Sequence, residues 1–465
     1  MPGRKDRRSD AAFADDGAEG TSHRSRFAQD RDRILYCAEF RRLAGVTQVA
    51  PAGEGAVFHN RLTHSIKVAQ VGRRLAEFLN AKDAPAVTAF GGLDPDVVEA
   101  ACQAHDIGHP PFGHAAEKAL QQSFKERNIA DGFEGNAQSF RIVTFLTARR
   151  ASPYGLDLTR ATTNAVLKYP WHRGPDGKRF AKWGAYIDDG EAFAFARAGF
   201  DAGDSRKSAE AELMEWADDV SYATHDLEDF YRAGLLPLDQ LLNGVRLDEL
   251  VTAIREVWAK EGQDGDPQKA VWSADVNLGN RIAAVFSHLA ASYPSLRARF
   301  TAEREQEAEL HRLTSRFLDR FLNKYDDQRP IKLDATAAGD KSKAFVLRNP
   351  NVEFEVSLLK SVTAHYVFTN PSLVAQQIGQ AKIVQRLFDI YNDAFGSGKR
   401  RHLVPSSFSH LLPWITEAPD EQSKSRRQAR AAADVVASLA EDQAHRLFLR
   451  LEGFGPGSLS DPILR

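Results

Sequence analysis

The chain has 465 residues, 43% hydrophobic and 27% charged, the balance of an ordinary soluble protein with ample length to bury a core. Its 61 Lys and Arg against 63 Asp and Glu leave a net charge of −2, which excludes a global polycation built for nucleic acid, so any anionic ligand must meet a local basic cluster. Two cysteines, Cys37 and Cys102, are too few for a disulfide framework or a thiolate zinc site, and no apolar run reaches transmembrane length or forms a secretory signal; the expectation is a cytoplasmic protein.

Residues 1–26 read as a disordered tail: Arg4, Lys5, Arg7 and Arg8, then Asp15, Asp16 and Glu19, with Phe13 the only large apolar side chain before the end of that stretch. From about Asp30 the pattern turns helical. Segments 33–43 and 63–79 carry apolar residues at helical period, and Pro95 opens a helix that closes on His105. Segments 115–124, 135–146, 209–233, 247–258, 281–289, 303–322, 355–368, 373–395 and 429–451 follow the same logic. Strand signals are sparse; 343–348 and 352–354 are short candidates around Asn349-Pro350. Gly and Pro concentrate in 172–208 and 260–276, which read as long surface excursions. The run Lys399-Arg400-Arg401-His402 reads as a solvated face. The fold class is therefore all-α, with at most a short β-hairpin.

Three stretches carry chemistry. His105 and Asp106 close a helix of small apolar residues, where an adjacent imidazole and carboxylate are expensive to bury. A shared cation would satisfy both; such donors suit Mn, Fe, Co, Ni or Zn, and with added water Mn or Mg. Gly108-His109-Pro110-Pro111-Phe112-Gly113 cannot continue that helix. A new helix begins near His114, with Glu117 at i+3 on the same face, an imidazole and a carboxylate placed for general acid/base work. In the third stretch Asp218, Tyr222 and Asp226 recur at i, i+4 and i+8 on one helical stripe, and periodicity alone does not choose between Asp218 and Asp219.

Together these pieces resemble the HD-domain metal-dependent phosphohydrolases, whose H…HD…D signature maps to His64, His105, Asp106 and Asp218. Longer strings are similar to the deoxynucleoside triphosphate triphosphohydrolases, the dGTPase-like proteins: Phe40-Arg41-Arg42-Leu43, Thr47-Gln48-Val49, Asn60-Arg61-Leu62-Thr63-His64-Ser65, residues 105–117, Phe133-Glu134-Gly135-Asn136, Leu167-Lys168-Tyr169-Pro170-Trp171 and residues 217–229. The resemblance runs from about residue 30 to about residue 450. It implies an HD helical core over 27–235, a helical C-terminal part over 236–465 packed on it, and hydrolysis of a dNTP to deoxynucleoside and inorganic triphosphate. It implies His64, His105, Asp106 and Asp218 as ligands of a divalent metal, Mn or Mg first among the candidates. Its register selects Asp218 over Asp219. It places Tyr222 on the deoxyribose, Gln48 and Asp226 on the 3′-hydroxyl, Arg61 and Lys168 on the triphosphate, His109 beside the α-phosphate, and His114 with Glu117 at the proton transfer. The Gly-rich segment 50–58 would shape the base side of the pocket, leaving base preference open.

The resemblance also implies a homo-oligomer, with a hexamer as one form. Two alternatives stand beside the main reading. One is an HD phosphohydrolase of another nucleotide. The other is a nucleotide- or single-stranded-DNA-binding regulator with weak activity, motivated by the basic run at 399–402 and by Arg426, Arg427 and Arg430. An effector nucleotide or single-stranded DNA is a further partner to test, and no membrane partner is expected.

Overall fold

The computed structural model describes residues 3–11, 23–48, 59–149, 153–322, 329–367, 370–396 and 398–455. Among these the architecture is helical, as the periodicity predicts. The one sheet is antiparallel and two-stranded, pairing β1 (Ile331–Leu333) with β2 (Val346–Arg348) so that Ile331 opposes Arg348. No helix of the described residues is long and apolar enough to cross a membrane.

Three helices build the frame around the site, and their starts are written in the sequence. Asn60 caps Arg61–Lys82 by accepting from the Thr63 N–H. Asp94 caps Pro95–Ala104, with proline in the first turn. Ser208 caps Ala209–Ser221 by accepting from the Ala211 N–H. Their facing stripes of Val68, Leu75, Val97, Val98, Leu213 and Val220 have no exposed surface. Gly72 lets the first two helices approach closely, since a Cβ there would lie 2.5 Å from Cys102 Sγ. Cys102 is thus core packing, as its place in an apolar helix suggests.

The same core continues through Leu250, Ile254, Trp258, Phe286, Leu358 and Leu359. A second core joins Leu120, Phe124 and Phe133 to Leu387, Phe388, Val435 and Val436. Both cores therefore mix residues from the two sides of position 235.

Several expectations need correction. Part of the presumed tail is packed: Arg7 Nη1 donates to Asp30 Oδ1 at 2.6 Å and to the Asp157 carbonyl at 2.5 Å, and the side chains of Arg7 and Asp30 are wholly buried. Arg4 pairs with Glu210 at 2.5 Å. The segment is held by polar pairing, which an apolar count does not see; Phe13, Asp15, Asp16 and Glu19 lie outside the described residues. Residues 352–354 are not a strand but part of the helix Pro350–Val367. Its Val352, Phe354, Val356 and Leu358 are buried at alternate positions because the helix is covered on more than one side, so a period of two mimicked a strand. The stretch 172–208 is not wholly surface, since Trp183, Ala185, Tyr186 and Ala196 are buried. The predicted helix at 429–451 is two helices, Glu421–Ala437 and Glu441–Leu451. The predicted helix at 209–233 is interrupted by a π-helical turn, Tyr222–Asp226.

Candidate metal centre and substrate pocket

The three framing helices each deliver one residue that could ligate a metal. His64 lies in the first turn of Arg61–Lys82, His105 caps the end of Pro95–Ala104, and Asp218 lies in the last turn of Ala209–Ser221. His64 Nε2 is 3.1 Å and His105 Nε2 is 3.4 Å from Asp218 Oδ1. One donor atom from each of the three residues falls within 4.8 Å of the others, and all three residues are buried.

The donor set fits a cation. His105 Nδ1 donates to the Cys102 carbonyl at 2.6 Å, which leaves Nε2 with its lone pair in the neutral ring. That lone pair has no hydrogen-bond partner among the described residues and faces Asp218 Oδ1 at 3.4 Å and Asp106 Oδ1 at 3.5 Å. Acceptor against acceptor in a buried site is repulsive until positive charge lies between them. Burial opposes protonation of His105, but Asp106 and then Asp218 raise its pKa, the mark of a position that favours positive charge.

Asp106 stands beside this trio. Its Oδ2 accepts from Arg61 Nη1 at 2.5 Å, and its Oδ1 lies 3.1 Å from His109 Nδ1. Burial would raise the Asp106 carboxyl; Arg61, His105 and His109 override it and hold it well below the usual range. Asp218 is held down likewise by Lys168 and His105 against burial. The geometry also separates Asp218 from Asp219. Asp218 faces the histidines, whereas Asp219 accepts from Lys360 and lies 3.8 Å from Arg348.

Arg61, Lys168, Tyr222 and Asp226, expected around a substrate, lie at this centre as well. Arg61 is fully buried, with Nε and Nη2 unpartnered among the described residues. Lys168 donates to Asp218 Oδ2 at 2.8 Å, so its ammonium meets the centre itself. The Tyr222 ring lies 4.8 Å from the His64 ring. Asp226 is buried, and burial, Asp229 and Asp218 push its carboxyl well above the usual range. Tyr222 and Asp226 begin and end the π turn, so the two are set by a wider turn than the α-helical stripe assumes. Gln48 is buried, with both amide atoms unpartnered among the described residues. Val49 and segment 50–58 lie outside the described residues.

On the other side of Asp106 sit His109, His114 and Glu117, with one donor atom from each within 4.8 Å of the others. His114 is exposed, and its ring lies 5.5 Å from that of His109. Glu117 is buried; its Oε1 accepts from the Gly135 N–H at 2.8 Å and lies 3.9 Å from His109 Nε2. The Phe133-Glu134-Gly135-Asn136 string thus supplies a backbone donor to Glu117.

Some neighbours escaped the sequence reading. His59 bonds Asp229 through Nδ1, and its backbone N–H donates to the same oxygen at 2.9 Å, while Lys67 reaches His59 Nε2. His59 and Lys67 flank the 60–65 string and Asp229 closes the 217–229 string, and no spacing rule pairs 59 with 229. The basic set behind the nucleic-acid alternative is dispersed: Arg426 and Arg427 pair with Asp188, and Arg430 is buried beside Asp131. The 399–402 run is exposed.

Comparison with known proteins agrees with this arrangement. A model of the HD domain matches residues 61–223, and a model of the phosphohydrolase-associated domain matches residues 346–450. A deoxyguanosinetriphosphate triphosphohydrolase-like protein of Corynebacterium efficiens is 33% identical over 438 residues, covering 92% of each chain. One of Streptomyces coelicolor is 35% identical over 448 residues, covering 92% of this chain and 93% of its own. One of Caulobacter sp. is 40% identical over 235 residues, covering 50% of this chain and 53% of its own. With the HD centre assembled and two such relatives matched nearly end to end, the chain belongs to the HD-domain family of deoxyguanosinetriphosphate triphosphohydrolase-like proteins.

Proposed function

We propose that the protein hydrolyses deoxynucleoside triphosphates to deoxynucleoside and inorganic triphosphate. The observation that carries this reading is Gln48, a buried side chain whose amide oxygen and nitrogen both lack partners among the described residues. An amide left in that state fits a site that takes up a ligand bearing both a donor and an acceptor, such as a sugar hydroxyl.

His64, His105, Asp106 and Asp218 would hold a divalent ion, Mn or Mg, which when bound supplies Lewis acidity at the α-phosphorus. Arg61 offers its Nη2, unpartnered among the described residues, and Lys168 its ammonium, to phosphate oxygens. Tyr222 stacks against the deoxyribose, where a 2′-hydroxyl would clash. Asp226 and Gln48 receive the 3′-hydroxyl. The bond broken joins the α-phosphorus to the 5′-oxygen; the oxygen of water ends on triphosphate and a proton ends on the 5′-oxygen. His114, exposed at the rim and within reach of buried Glu117, handles that proton. We also propose a homo-oligomer, for which light scattering showing only a 51.5 kDa species is the contrary result.

The test is a panel of four dNTPs and four NTPs with Mn or Mg, with products separated. Inorganic triphosphate from dNTPs supports the reading. Release of pyrophosphate or monophosphate instead would favour another nucleotide phosphohydrolase.

A further inference from the structure

Glu441 lies far from the HD strings in sequence, at the start of the C-terminal helix Glu441–Leu451. Its Oε1 accepts two backbone N–H groups, from Thr47 at 2.7 Å and from Phe112 at 3.1 Å. Thr47 precedes Gln48. Phe112 lies inside the turn that carries His109 and leads into His114. One carboxylate oxygen thus joins the two segments that would face the sugar and the reacting phosphate.

That turn needs holding. Phe112 adopts φ 68°, the left-handed region that a non-glycine residue rarely takes, and Gly113 follows at φ 56°. Prolines at 110 and 111 have no N–H to donate, so the turn has few donors of its own to anchor. Its carbonyls are held from the opposite sense by Arg42. Arg42 Nη2 donates to the carbonyls of Ile107 and His109, each at 2.8 Å, and Nη1 donates to the Leu439 carbonyl at 3.0 Å. The guanidinium therefore grips the turn's acceptors and the carboxylate grips its donor. Residues 439–441 serve both contacts. Arg61 closes the space between, for a Cβ on Gly113 would come within 3.1 Å of its Nη2 and 3.7 Å of the Thr47 carbonyl.

We propose that Glu441 is a positioning residue for the hydrolytic site, acting through its carbonyl-type oxygen to lock the Gln48 segment to the His109–His114 turn. It rests on the function proposed above only for its kinetic readout. Charge is not what the contact needs: an amide oxygen can accept both N–H groups, whereas a methyl group cannot. Displacing a positioned group by about 1 Å can cost on the order of a hundredfold in rate.

The experiment compares Glu441→Ala and Glu441→Gln in the full-length protein by dNTP hydrolysis and by amide hydrogen exchange. In Glu441→Ala, kcat should fall about tenfold or more as the turn loosens, and KM should rise as Gln48 loses its place. Exchange at 46–48 and at 112–114 should quicken together while the helices Arg61–Lys82 and Ala209–Ser221 stay protected. Glu441→Gln should restore both readouts to near the parent values. Unchanged exchange at the two segments in Glu441→Ala would overturn the proposal, as would a Glu441→Gln protein as impaired as Glu441→Ala. If the parent protein releases no triphosphate from any dNTP, the proposed function fails, while the exchange data still decide the role of Glu441.

Discussion

Asp218 and Asp219 are adjacent in sequence yet meet different partners: Asp218 Oδ1 lies 3.1 Å from His64 Nε2, while Asp219 is bonded by Lys360. Successive residues on a helix point about 100° apart, and here that rotation separates a centre of histidines from a pair of cations, Arg348 at the end of β2 and Lys360 on the helix Pro350–Val367. Asp218→Asn should abolish stoichiometric Mn binding, because the carboxylate shared by the two imidazoles is lost. Asp219→Asn should keep the metal, since it disturbs only Lys360 and Arg348. Metal per protomer after gel filtration, measured by mass spectrometry, distinguishes them; loss of metal in both variants would contradict this division.

The choice between the two aspartates shows where sequence reasoning stops. Periodicity puts Asp218, Tyr222 and Asp226 on one stripe, and it took the family register to prefer Asp218. The structure adds the physical reason: Lys360 and Arg348, more than 120 residues away in sequence, neutralise Asp219. The π turn at Tyr222–Asp226 is likewise invisible to a pattern with a fixed period of 3.6. The framing helices were legible because Asn60, Asp94, Pro95 and Ser208 mark their starts. Arg7 was not, because one arginine among the several cations of a polar stretch reveals nothing of the buried carboxylate it will meet.

That buried pair gives a stability prediction. Without the Arg7 guanidinium, Asp30 keeps the Thr159 N–H at 2.8 Å and the Thr159 hydroxyl at 2.7 Å, with Arg33 Nη1 farther off at 3.9 Å. Arg7→Ala should destabilise the protein by about 3–5 kcal/mol, the usual penalty of leaving a buried charge without its partner. The double variant Arg7→Ala, Asp30→Ala should lose less than the sum of the single changes, since it strands no carboxylate. Urea midpoints of the three variants check this.

Sugar selection tests the pocket directly. If Tyr222 excludes a 2′-hydroxyl by contact, Tyr222→Ala should raise NTP hydrolysis relative to dNTP hydrolysis by about tenfold or more, even as both slow. Competition between dGTP and GTP in one reaction gives the ratio of kcat/KM values. An unchanged ratio would remove Tyr222 from sugar choice.

Glu212 predicts a pH dependence of stability away from the metal. Its Oε2 accepts from the Val346 N–H at 2.6 Å, tying the helix Ala209–Ser221 to β2. Burial pushes its carboxyl up to about 7, and the lowering effects of the Val346 N–H, Lys207 and Arg348 do not compensate. The folded state therefore holds a proton that the unfolded chain, with an ordinary carboxyl near 4.5, has already lost. Its stabilising share is complete below about pH 4.5 and disappears as pH rises through about 7. A shift of that size corresponds to about 3 kcal/mol at most. Glu212→Gln stays neutral throughout and its amide oxygen still accepts from Val346. Its stability should change less than the parent's between pH 5 and pH 8, with the variant the more stable of the two at about pH 8. Urea unfolding at a series of pH values reads the difference; parallel curves for the two proteins would show that Glu212 does not titrate in this range.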